Sequence, residues 1–97
     1  MVKWLVERKL ADTSARLRKA REELIEIDLQ AQHFAHEADD DRIRAMVSET
    51  PVADRELQES QRHADTMRRA KTRMLSRIAD LERQQDDLLD RLSAAGR

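Results

Sequence analysis

Pro51 is the only proline in a chain of 97 residues, and it stands close to the midpoint. Proline has no amide donor and fixes its own φ, so a helix accepts it in the first turn but not in the interior. It also drives the residue before it out of helical geometry. The only glycine is Gly96, near the far end. A chain with so few breakers can form one long arm before Pro51 and another after it, with a bend between. Thr50 is placed to cap the second arm, with Pro51 at the first helical position and Asp54 and Glu56 near the positive end of the helix dipole. Ser48 and Glu49 are left as connector. The reading is a single helical hairpin over residues 1–97, with helix 2–47, turn 48–50 and helix 51–94.

Both arms carry rows of core residues spaced by seven. In the first arm Leu10, Leu17, Leu24, Ala31, Ala38 and Ala45 form one row, and Val6, Thr13, Ala20, Ile27, Phe34 and Asp41 interleave three residues later. These are the a and d positions of a heptad, the pattern of a coiled coil. In the second arm Leu57, Ala64, Lys71, Ile78, Gln85 and Leu92 form one row, and Met67, Met74, Leu81 and Leu88 the other. The pattern weakens toward the bend, where Asp41 holds a core position. A first helix ending near Ala38, with Asp40 capping a short second one, is the alternative there. Gly96 is placed to end the second arm.

Composition removes several function classes. Charged residues make up 40% of the chain and aromatics are limited to Trp4 and Phe34, the profile of a long charged helix. The formal net charge is only -1, which gives no broad attraction to nucleic acid or anionic membrane. The absence of cysteine excludes disulfides, thiolate catalysis and zinc–thiolate sites. The apolar start is too short for a signal peptide and no run approaches a membrane span, so the expected compartment is the cytoplasm. Abundant arginine and alanine point to a GC-rich bacterial genome.

Two antiparallel registers fit the rows. In one, paired core residue numbers sum to 98; in the other they sum to 105. The first sets Leu17 against Leu81, Leu10 against Leu88 and Ala20 against Ile78, so that large and small residues fill each layer. It also sets Glu23 by Arg77, Asp28 by Arg68, Arg42 by Asp54, Arg44 by Glu56 and Glu37 by His63. The sum of 98 is therefore preferred, in a hairpin of roughly 65–70 Å from the helical rise. Two helices bury little apolar area, and small cores often gain support by association. Leu75 and Leu89, at e, widen the stripe of the second helix. The first helix carries an outer stripe at b and f that includes Trp4, Ile25, Leu29, Ile43 and Met46. The expectation is an all-α antiparallel two-helix coiled-coil hairpin that assembles as a homo-oligomeric dimer or higher bundle, with another protein as a further possible partner.

Catalysis finds no support: the chain has no phosphate-binding glycine loop and no cleft, and no enzyme activity or cofactor is expected. His33, His36, Glu37 and Asp40 stand at helical spacings, with His63 across the seam, and such residues can ligate zinc or iron. Bundle metal sites, however, project their ligands inward, whereas His33 and Asp40 fall at c and His36 at f. A metal-binding bundle is an alternative, and no metal ligand is assigned. The cations Arg16, Arg18, Lys19 and Arg21 are offset by facing Glu82 and Asp86, with no aromatics for base stacking, so nucleic-acid binding is not expected.

The run Glu37-Ala38-Asp39-Asp40-Asp41-Arg42 adds Asp39 and Asp40 to the candidate interaction residues. In this run and in its two-arm plan the chain resembles the acidic-tipped coiled coils of Gre and DksA-like factors. The resemblance implies a small regulator whose acidic, turn-proximal end engages RNA polymerase at its catalytic magnesium. The run stands about eight residues short of the bend, and no polymerase-docking domain follows within the sequence. The preferred reading is a non-catalytic coiled-coil structural or protein-interaction module.

Overall fold

The computed structural model describes residues 2–96. Among them are two helices and no strand: α1 (Val2–Ser48) and α2 (Pro51–Ala95), joined by Glu49 and Thr50. The chain is an all-α helical hairpin. Ser48 belongs to the first helix rather than to the connector. α1 also runs unbroken through Ala38 and Asp40, so the separate short helix does not form. Ala38 and Ala45 are both buried, and continuing the helix keeps them on the seam.

Glu49 ends α1 by turning left-handed, with φ 50°. Its amide donates to the Ala45 carbonyl at 3.1 Å, which closes the last turn. Glycine usually holds this position, because a Cβ there costs about 1–2 kcal/mol. Pro51 restricts Thr50 to extended backbone, so the reversal falls on Glu49. Thr50 caps α2 as its sequence position predicts. Its Oγ1 accepts from the Ala53 amide at 3.1 Å, and its carbonyl accepts from the Asp54 amide at 3.1 Å. Asp54 lies in the first turn of α2. At the far end Gly96 donates to the Leu92 carbonyl at 3.0 Å, without a left-handed φ. Thr50→Ala removes the cap oxygen and is expected to cost about 1 kcal/mol, while Thr50→Ser retains most of that stability. Urea unfolding checks this; equal losses in both variants would show that the hydroxyl is not the cap.

The chain divides into two compact units, one formed by the chain up to Glu23 together with the chain from Met74 on, the other spanning Leu24–Arg73. In the first unit Val6, Leu17 and Ala20 of α1 are buried, as are Ile78, Leu81 and Leu88 of α2. Buried Thr13 also lies on this seam, and the Gln85 amide donates to the Ser14 hydroxyl at 3.0 Å. In the second unit the buried positions are all small: Ala38, Ala45, Ala53 and Ser60. Its larger seam residues, Leu24, Ile27, Phe34 and Met67, are only half-buried. The His63 ring meets the Phe34 edge at 5.5 Å between centroids. The second unit therefore draws less stabilisation from apolar burial than the first.

Cross-helix contacts identify the register within each unit. Ser14 meets Gln85 in the first; Asp28 meets Lys71 and Phe34 meets His63 in the second. All three fit core pairs summing to 98, whereas a sum of 105 would put Gln85 opposite Ala20 and Lys71 opposite Phe34. The ion pairs differ from expectation. Asp28 is held by Lys71, Nζ to Oδ1 at 2.6 Å, and not by Arg68, which turns to Asp65 on its own helix at 2.5 Å. Arg42 pairs with Asp39 rather than with Asp54. Glu23 and Arg77 line one groove but form no ion pair among the described residues. Arg44 does reach Glu56, at 3.9 Å. A neighbour three or four residues along the same helix is reached at small entropic cost, and six of the nine ion pairs among the described residues are of this local kind.

Candidate interaction surface

The outer stripe of α1 is open along the residues the sequence assigned to it. In the second unit Ile25 is 63% and Leu29 62% exposed, one helical turn apart. Ile43 and Met46 continue it toward the turn, both well exposed. In the first unit Trp4 is 59% exposed, with the Arg8 guanidinium 5.6 Å from its ring centroid. That contact covers one ring face with a cation and keeps the indole on the surface. On α2, Leu75 and Leu89 are 47% and 46% exposed, so each is already about half covered.

Four exposed apolar residues escaped the sequence reading: Val2 and Leu5 near the start of α1, and Val47 and Val52 near the turn. Val47 is 80% exposed beside Ile43 and Met46, and Val52 stands open in the first turn of α2. Val47 sits at c, next to the b and f positions, and its spacing of four from Ile43 was the available signal. Ile43 and Val47 line one open groove at the turn end of the second unit, together with Asp40, Arg44 and Ser48.

The acidic run is largely occupied by its own helix. Asp39 accepts from Arg42 at 3.1 Å, and Asp41 accepts from Arg44 at 2.7 Å and from the Ser60 hydroxyl. Asp40 holds no ion pair among the described residues and lines an open groove of about 560 Å³ together with Glu37, Asp41, Glu56, Glu59 and His63. Glu37 pairs with His33 at 3.2 Å rather than with His63, and His36 is exposed. Among the described residues no group of three or more histidines and carboxylates is arranged to hold a metal ion.

The basic stretch is divided in the same way. Arg16 pairs with Asp12 at 3.2 Å and Arg21 with Glu82 at 3.9 Å. Arg18, Lys19, Glu22 and Glu26 are exposed and hold no ion pair among the described residues. No described helix is long and apolar enough to cross a membrane. No protein-family model, curated protein or solved structure matches this chain.

Proposed function

We propose that this chain is a non-catalytic helical-hairpin module that works by protein–protein contact, first of all with itself, in the cytoplasm. The observation that carries the reading is the exposure of Ile25 and Leu29, one helical turn apart on the outer face of α1 in the second unit. Scattered surface apolars are ordinary. A stripe kept at helical spacing on a helix that is otherwise heavily charged is instead the pattern of a helix with a second partner. The small buried side chains of the second unit support the same reading. A core built on alanine and serine gains from added apolar contact more than a well-filled one does.

The test is sedimentation of the full chain at micromolar concentration beside the Ile25→Glu, Leu29→Glu double variant. The unmutated protein is expected to sediment as a dimer or larger species. The variant is expected to sediment as a monomer with unchanged helix content, because exposed substitutions shift folding stability by only about 0.5 kcal/mol. An unmutated protein that remains a single chain overturns self-association.

A further inference from the structure

In the first unit the start of α1 and the end of α2 frame an open groove of about 500 Å³. Val2, Leu5, Val6, Ala94 and Ala95 give it an apolar lining, and Lys9 and Arg91 are its only charged lining residues. Both cations are exposed and hold no ion pair among the described residues. In the adjoining groove Asp12 is taken by Arg16, and Asp87 stands one turn from Arg91 without pairing to it. Among the flanking positions that the register sets side by side in this unit, Lys9 and Arg91 are the only pair of like charge. A carboxylate placed between them is attracted by both. The groove therefore suits an apolar helix face that also carries an acid.

The second unit presents such a face. From Leu24 to Asp41 α1 has six acids and no lysine or arginine. Asp28, Asp39 and Asp41 are held by Lys71, Arg42 and Arg44 of the same unit. Glu26 is exposed and holds no ion pair among the described residues. It stands at c, beside Ile25 at b and on the same outer side as Leu29 at f. Two open apolar side chains one turn apart, with a free carboxylate next to them, match what the groove lacks.

We propose that the first-unit groove of one copy receives the outer face of α1 in the second unit of another copy. Ile25 and Leu29 pack on Val2 and Leu5, and Glu26 turns toward Lys9 and Arg91. The proposal rests on the self-association reading and adds what covers the exposed pair. Each contact is head-to-tail and engages one unit of each copy. Pairing the Ile25 and Leu29 faces of two copies would bring two acid-rich segments together, and pairing two grooves would gather four cations; like charges at close quarters oppose both. An acidic helix from another protein would fill the groove but leave Ile25 and Leu29 open, whereas a further copy of this chain covers both surfaces.

A head-to-tail contact can be rebuilt from two broken partners, and a self-complementary one cannot. One variant carries Lys9→Glu with Arg91→Glu, which spoils the groove; the other carries Ile25→Glu with Leu29→Glu, which spoils the face. All four sites are exposed, and circular dichroism checks that helix content is kept. If the charge reversal lowers it, Lys9→Gln with Arg91→Gln takes its place. Each variant alone is expected to sediment as a single chain. Their equimolar mixture is expected to sediment as a two-chain species, because one supplies an intact face and the other an intact groove. Variants that stay single chains when mixed, beside an unmutated protein that associates, overturn the head-to-tail contact and leave self-association standing. A groove variant that associates as the unmutated protein does overturns the groove as the docking site. An unmutated protein that sediments as a single chain overturns both readings.

Discussion

Leu17→Ala is expected to lower folding stability by about 3 kcal/mol, the largest single-site loss anticipated in this protein. Leu17 is 2% exposed and faces buried Leu81 in the first unit. Truncation removes the transfer free energy of the lost carbons and leaves a cavity that two long helices close only partly. A chain of this length has about 5–15 kcal/mol of stability in all, so the change removes a large share. The comparison variant is Val52→Ala, which trims an exposed side chain and should stay within about 0.5 kcal/mol of the unmutated protein. Urea unfolding followed by helical circular dichroism, at one fixed protein concentration, measures both, since association would make stability depend on concentration. Similar losses in the two variants would mean that the first unit does not draw its stability from this seam.

Asp41→Leu is the second large effect, and its sign differs from what the heptad alone suggests. A carboxylate at a core position invites replacement by leucine, with a gain of about 1 kcal/mol from apolar burial. In the structure, however, the Asp41 side chain is only 16% exposed and takes hydrogen bonds from the Ser60 hydroxyl and from Arg44. Ser60 is itself buried. Leucine would remove the hydroxyl's acceptor, and a buried polar group left unpaired costs about 1–3 kcal/mol. Ser60 can turn back onto its own helix, as Thr66 and Thr72 do onto the Arg62 and Arg68 carbonyls, which holds the loss to about 2 kcal/mol. The expected net cost of Asp41→Leu is about 1 kcal/mol. Asp41→Leu combined with Ser60→Ala removes both partners and should restore or exceed the original stability. A double-mutant cycle reads the coupling. Additive single effects, or a stabilised Asp41→Leu alone, would show that the Ser60–Asp41 bond carries no weight.

The seam was legible because apolar periodicity is a strong local signal. Every a and d position assigned in α1 from Val6 to Ala45 is buried or half-buried, Asp41 included. The cap at Thr50 was legible too, since Pro51 dictates the conformation of the residue before it. The left-handed turn at Glu49 was not. Glutamate carries no preference for that conformation, and it arises only because α1 must end as α2 begins. Among the candidate interaction residues, Trp4, Ile25 and Leu29 could be assigned to the outer face from phase alone. Val47, beside the stripe at c, offered only its spacing of four from Ile43, and Val52 offered nothing, because helical phase is barely established in a first turn.

What the sequence determined by itself was two helices, one bend, the seam and its register: Pro51 and the seven-residue rows act over short range and admit few alternatives. Only the tertiary structure decided the partner of each charge. Asp28 lies within reach of several cations of α2, and their energies differ by less than 1 kcal/mol or so when exposed. Side-chain length and approach then select Lys71 for Asp28, and leave Arg68 to Asp65. Asp41 shows the same division. Its heptad position could be read from spacing, but whether a carboxylate there is strained or satisfied depends on Ser60, nineteen residues away along the chain, which only the folded seam brings to it.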